Sequence, residues 1–388
     1  MDIDINMLKE DFPIMKKFAY MNNASYTPMP FYSIKAMTDF LVECSANGPD
    51  SPMVMHDIER RADEARKEIS KLLNCGTDEV VLTQSTTEGL NYVANGIRWT
   101  KEDGVIIRDG NHEHPANYVP WLRLKQKGVM VRKLKIDHNG LFGIKEFEEE
   151  IEKDKKTRLV VFSHALFNTG AILPVEEIGR ITSKKEVMFC LDAAQSVGCL
   201  PVDVKKIGCD FAAFPGSKWL CGPLGIGIFY CSRKAFEKIE PLQSGGESTF
   251  ALDDDDIAYK DMPYRMEAGF RNWAGMVGLT ASTRYITRLG INNIMKNNNE
   301  LGNILRDELN KMQHVTVYGP TEEKSHTSIV SFTINKVEAS KVVTKLEENG
   351  IIFAKRDISK QRIVRASPHF FNQAGEIQRA IEIIKKLQ

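Results

Sequence analysis

The 388-residue sequence has no surplus charge: Lys and Arg together number 52, and so do Asp and Glu. That balance lacks the basic footprint of a nucleic-acid-binding protein. No apolar run approaches the roughly 20 residues that a membrane-spanning helix requires. The opening Met-Asp-Ile-Asp-Ile-Asn has no apolar stretch of the signal-peptide kind, so the expected location is the cytoplasm. No Cys-x-x-Cys pair occurs among the seven cysteines, and no metal site is expected. Beyond Cys231 there is no cysteine at all. A dinucleotide-binding turn is also missing, since Gly222-Pro-Leu-Gly-Ile-Gly227 has the wrong spacing, which argues against a nucleotide-dependent oxidoreductase. The run Asp253–Asp256 lacks the spacing of a coordination loop and reads as solvated surface.

What is present is a soluble-protein composition, 42% apolar and 27% charged, on a chain too long for one ordinary core. From Val80 to Tyr230 short β-rich runs alternate with amphipathic segments. The runs are Val80–Thr83, Val105–Arg108, Val129–Lys135, Leu159–Ser163, Val187–Asp192, Phe211–Phe214 and Ile226–Tyr230. Helical patterns fall at Thr87–Ile97, Ala116–Lys127 and Val175–Thr182. Such alternation predicts an α/β fold with a mostly parallel sheet. The last two runs are joined by a short loop, which points to an antiparallel member. Ser33–Ala46 and Val54–Asn74 are predicted helices ahead of this region, with Asn272–Leu289 and Asn293–Met312 behind it. The end reads strand, helix, strand, strand, helix, a smaller α/β unit beginning near residue 265.

Four segments carry chemistry. In Phe214-Pro-Gly-Ser-Lys-Trp-Leu-Cys-Gly, Lys218 follows a strand among small residues that let a ligand approach closely. An apolar setting would favour its neutral, nucleophilic form; the plain alternative is a snorkelling surface lysine. Asp192, in Leu191-Asp-Ala-Ala-Gln-Ser, ends an apolar strand at the edge where α/β sheets bind ligands. A carboxylate buried there needs a cation, and a protonated pyridine nitrogen is one; a helix cap is the alternative. Leu82-Thr-Gln-Ser-Thr-Thr-Glu-Gly is a strand running into a helix opening, suited to phosphate or to ordinary capping. His112-Glu-His-Pro-Ala-Asn-Tyr-Val-Pro-Trp121 places histidines after a strand, where one can stack on a planar ligand.

Together with Glu267-Ala-Gly and Val364-Arg-Ala-Ser-Pro368, these motifs resemble, in order and separation, the cysteine desulfurases and related class V aminotransferases. The resemblance spans nearly the whole chain. It implies a fold-type I, pyridoxal 5'-phosphate-dependent enzyme, a homodimer acting on a small amino acid. It assigns Lys218 as the Schiff-base lysine and proton carrier, Asp192 to the pyridine nitrogen, and Gln195 to the ring's phenolic oxygen. His114 corresponds to the histidine stacked on the ring. Thr86, Thr87 and Ser217 correspond to the phosphate site, and Arg365 to the substrate carboxylate. Asn22, Asn23 and Ala24 fall in the N-terminal segment that lines the pocket. The implied organisation is an N-terminal segment (1–30), a large cofactor domain (31–265) and a small domain (266–388).

Where desulfurases carry a catalytic cysteine, Phe353-Ala-Lys-Arg-Asp-Ile-Ser-Lys-Gln-Arg-Ile-Val-Arg365 has none, leaving only a thiol such as Cys221 to substitute. Phe167 stands where desulfurases commonly place asparagine, Phe270 replaces a threonine that reaches the neighbouring subunit's phosphate, and Arg271 follows it. These departures resemble the isopenicillin N epimerase-like and aminotransferase branches. The expected reaction is transamination, with a desulfurase-like C–S lyase lacking the usual cysteine, or an epimerase, as alternatives. A non-catalytic scaffold is disfavoured because Lys218, Asp192 and Arg365 are all present.

Overall fold

The computed structural model describes residues 5–250 and 256–387; Asp253, Asp254 and Asp255 of the acidic run lie outside them. After a helix, Ile5–Asp11, the chain forms its first strand, β1 (Ala19–Tyr20). A seven-stranded sheet follows: β2 (Val80–Thr83), β3 (Gly104–Arg108), β4 (Met130–Leu134), β5 (Thr157–Ser163), β6 (Met188–Asp192), β7 (Phe211–Pro215) and β8 (Gly227–Cys231). Its order is β2-β8-β7-β6-β5-β3-β4. β8 is antiparallel to both neighbours and every other pairing is parallel. The central strands are buried on both faces, which is why they read as continuous apolar runs rather than as alternation. Successive residues feed opposite cores: Val160 and Phe162 pack on one side, Leu159 and Val161 on the other.

A second sheet is built from β9 (Val315–Tyr318), β10 (Val330–Ile334), β12 (Ala354–Ile358) and β13 (Gln361–Ala366), all antiparallel, in the order β12-β13-β10-β9. β11 (Ile351–Ile352) pairs in parallel with β1, so the N-terminal segment is joined to the C-terminal part of the chain. Residues 22 and 367 bridge in the same sense.

The predicted strands and most helices are found with small shifts at their ends. The expected helix Ala116–Lys127 is instead a short helix, Val119–Arg123, between 3-10 turns. Pro120 is tolerated only in a first helical turn, which restarts the helix there. β9 and β12 go beyond the strands that pattern alone predicts. Met276, Leu279 and Ile286 of the helix Trp273–Leu289 pack into the core of the large sheet, whereas Leu301 and Leu305 pack with the small one. We therefore propose the three-part organisation with its second changeover later than residue 265, inside the helix Ile291–Asn310.

Parallel β5, β6 and β7 bring Ser163, Asp192 and Pro215 to one edge of the sheet. Chemistry-bearing loops emerge there, as open α/β sheets arrange their ligand sites.

Candidate active site

Lys218 lies three residues past the end of β7. The turn that carries it is closed by bonds from the Cys221 N–H to the Lys218 carbonyl and from the Gly222 N–H to the Gly216 carbonyl, both 2.8 Å. Desolvation by the surrounding protein lowers its amine from the ordinary 10.5 to about 8, with Asp192 opposing and Arg365 and Arg356 reinforcing the fall. Asp192 is buried, and its carboxylate accepts among the described residues only from the Ala194 N–H, at 2.9 Å. Desolvation raises its carboxyl to about 6, and no cation pairs with it among the described residues. A buried carboxyl in that state fits a protonated ring nitrogen opposite it.

Gln195 is constrained at both ends. Its Oε1 accepts from the Trp219 indole at 2.8 Å, and its Nε2 donates to the Ala24 carbonyl at 2.9 Å. One amide hydrogen is left over, free for a phenolic oxygen. His114 is exposed, with its Nδ1 accepting from the Ala116 N–H at 3.2 Å and its ring edge-on to Phe167 at 5.2 Å. Desolvation by the surrounding protein first, then Lys218, Arg365 and Arg356, depress it to about 4, so it is a neutral ring suited to stacking. The neighbouring His112 is buried and bonds instead to Asn168 Oδ1 at 3.3 Å.

The corner expected to take the phosphate is built by the helix Thr86–Gly96. Ser85 caps it, accepting from the Glu88 N–H, while the Glu88 carboxylate returns to the Gln84 N–H at 2.5 Å. Thr86 and Thr87 N–H groups are left for an anion at the positive end of the helix. Thr86 is buried and Thr87 exposed. Gly227 permits this corner to close, since a Cβ there would lie 2.7 Å from the Ser85 nitrogen. Gly216 is bonded to Ile226, which brings buried Ser217 to the same corner.

Arg365, on β13, is 1% exposed. Its guanidinium donates to the Phe167 carbonyl at 2.7 Å, to Ser25 Oγ at 2.5 Å and to Asn22 Oδ1 at 3.3 Å, while its Nε has no partner. Asn22 and Ser25 therefore face the arginine. Asn23 and Ala24 are buried and tie the segment to Ser367, with Asn23 Nδ2 bonding its carbonyl at 2.8 Å and the Ala24 N–H its hydroxyl at 3.0 Å.

Pattern reasoning missed Arg356. This half-buried residue of β12 also donates to Ser25 Oγ. Burial first, and Arg356 second, push the Arg365 guanidinium well below its usual range. Neither arginine has an acidic partner within salt-bridge distance among the described residues.

The aminotransferase class-V family model matches residues 19–379. The chain belongs to that family. This class V chain is 35% identical to a probable cysteine desulfurase of Methanothermobacter thermautotrophicus, over 98% of its own length and 97% of that protein's. It is 31% identical to a probable cysteine desulfurase of Pyrococcus abyssi, over 98% and 96%. Among solved structures, the apo cysteine desulfurase of Thermococcus onnurineus NA1 matches with a TM-score of 0.93 at 28% identity, covering 100% of this chain and 99% of that one. The cystine C–S lyase C-DES, in complex with its reaction product cysteine persulfide, matches at 0.89 and 25% identity over 97% and 99%. These names support the desulfurase-like alternative at least as well as transamination.

Cys221 is fully buried at the turn after Lys218, with φ +54, and burial pushes its thiol well above the ordinary value, so it is not a reachable nucleophile. Arg271 donates to the Met266 carbonyl at 2.9 Å and pairs with Glu88 at 3.6 Å, within its own chain.

Proposed function

We propose that this class V pyridoxal-phosphate enzyme is a C–S lyase, removing sulfur from a cysteine-type amino acid by β-elimination without an enzyme persulfide. One observation carries the reading. The β12–β13 hairpin turns through Ser359 and Lys360 and, where a desulfurase needs a thiol, supplies Arg356 beside Arg365. Two guanidiniums without acidic partners suit a substrate with two carboxylates. Cystine is such a molecule, with one carboxylate on each side of its disulfide. The likeness to C-DES, named for cystine C–S cleavage, supports the choice.

When bound, the cofactor supplies an electron sink for negative charge at the substrate's α-carbon. Lys218 takes the proton from that carbon. Asp192 keeps the ring nitrogen protonated, and Gln195 and His114 orient the ring. Thr86, Thr87 and Ser217 hold the phosphate. Arg365 fixes the α-carboxylate and Arg356 the distal one. The Cβ–S bond breaks with its electron pair leaving on sulfur, so cystine releases cysteine persulfide. Water then releases the remaining carbons as pyruvate and the nitrogen as ammonia. No oxidant or reductant enters.

The enzyme is proposed to act as a homodimer in the cytoplasm, on the family resemblance and on its seven unpaired cysteines. No helix of the described residues is long and apolar enough to cross a membrane.

Incubation with L-cystine and L-cysteine, followed by assays of pyruvate, alanine, sulfur products and protein mass, tests the reaction. Pyruvate equimolar with persulfide from cystine is expected. Alanine with a persulfide on the protein would make it a desulfurase, and a keto acid that retains sulfur would make it an aminotransferase.

A further inference from the structure

We infer that His369 is a positioning residue: it anchors the Lys218–Trp219 turn and, through Trp219, sets the amide of Gln195 toward the cofactor's phenolic oxygen. The inference rests on the cofactor assignment above.

His369 lies four residues past Arg365, on the loop leading to the helix Ala374–Lys385, and is 0% exposed. Its Nε2 stands 3.1 Å from the Trp219 carbonyl. A carbonyl can only accept, so Nε2 carries the hydrogen. Burial depresses the ring to about 3, which keeps it neutral. Nδ1 must then accept; Asn298 Nδ2 and Oδ1 lie 3.2 and 3.3 Å from it, and only Nδ2 can donate. The other Asn298 amide hydrogen has Cys199 Sγ at 3.9 Å. Both ring nitrogens are thus matched to one tautomer, and the backbone N–H of His369 is fixed by Asn372 Oδ1 at 2.9 Å.

The Trp219 peptide is held from its other side as well. Gly198 lies directly against it, at φ +90, where a Cβ would come within 2.6 Å of the Trp219 carbonyl. Gly198 and His369 thus hold the Trp219–Leu220 peptide, one residue past Lys218, from two sides. The Trp219 ring is fully buried, edge-on to His369 at 5.0 Å, and its indole N–H is the donor to Gln195 Oε1. That bond decides which end of the Gln195 amide faces the cofactor. A flipped amide would oppose oxygen to oxygen, and the two orientations are otherwise alike in shape. The pairing therefore runs from Asn298 through His369 and Trp219 to Gln195, and links the segment bearing the carboxylate-binding Arg365 to the lysine.

The readout is the pH midpoint of the visible absorption of lysine-bound cofactor in the holoenzyme. Asp192, Arg365, Arg356 and His114 face Lys218 and set its baseline. A donor to the phenolic oxygen favours the form in which that oxygen carries full negative charge, reached when the lysine link loses its proton. Disturbing Gln195 should therefore raise the midpoint. His369→Phe keeps the ring but removes both bonds, and a rise of about one pH unit is expected. His369→Gln, whose amide N–H reaches the Nε2 position, should return the midpoint to the wild-type value. An unchanged midpoint in H369F, or an equal shift in H369Q, overturns the inference. Should H369F not fold, Trp219→Phe removes the donor one step nearer the cofactor and must give the same rise; no shift there also overturns it. Failure of the cofactor assignment looks different: the wild-type protein would show no visible band, and both readings would fall together.

Discussion

A lysine amine attacks a carbonyl only when neutral, and an exposed lysine at pH 8 is neutral well under about 1% of the time. Lys218 at about 8 is half neutral there, because its surroundings withhold the water that would solvate its charge. Capture of pyridoxal phosphate by apoenzyme, trapped with borohydride, should rise with pH, reach half its maximum near 8 and level off above. Lys218→Ala should trap none. A curve still climbing past pH 10 would mean that the amine is solvated. Lys218 and Asp192 stood out in the sequence because one follows a strand closely and the other ends one, so local order places them at the sheet's edge, whereas Gln195 and His114 were legible only through the family resemblance. Arg356 was legible by neither route. It stands in a charged stretch that looks like any solvated loop, and its meaning depends on Ser25, 331 residues away in sequence.

The decisive element is the β12–β13 hairpin. Ser359 takes a left-handed φ of +56, closing the turn between Ile358 and Gln361, which pair directly. A turn this short gives no free length for a swinging loop. Pattern did not reveal β12, Ala-Lys-Arg-Asp-Ile, because it lies at the sheet edge with Lys355 and Asp357 exposed, and edge strands carry charge that hides their alternation. β5 to β7 were plain for the opposite reason, being apolar on both faces. Arg356→Met keeps the stem's packing and removes the charge. Loss of a charge-assisted bond of about 1.5–3 kcal/mol should raise KM for cystine roughly tenfold to a hundredfold, with kcat and cysteine turnover little changed. An unaltered KM for cystine would show that Arg356 holds no distal carboxylate.

At the scale of the whole molecule, the apolar surface is uneven. Phe270, 69% exposed, makes a tilted 5.1 Å contact with Trp273, and with Tyr264, Met55 and Ile58 it lines a surface cavity of about 380 Å³. Large aromatic residues grouped around a surface cavity mark an association face more often than bare surface. Arg271 and Glu267, in the same segment, are bonded inward to Glu88 and Arg66, so the segment is rigid where it meets solvent. Glu88 also lies in the first turn of the helix that offers Thr86 and Thr87 to the phosphate. A partner seated on Phe270 would therefore press on the cofactor site through one helical turn. Sedimentation should give twice the chain's mass. Phe270→Glu, which forces a charge into that face, should yield a folded monomer with weaker cofactor retention and at least a tenfold loss of turnover, about 1.4 kcal/mol in barrier terms. A wild-type protein that is monomeric at assay concentration and fully active would remove the dimer from this account.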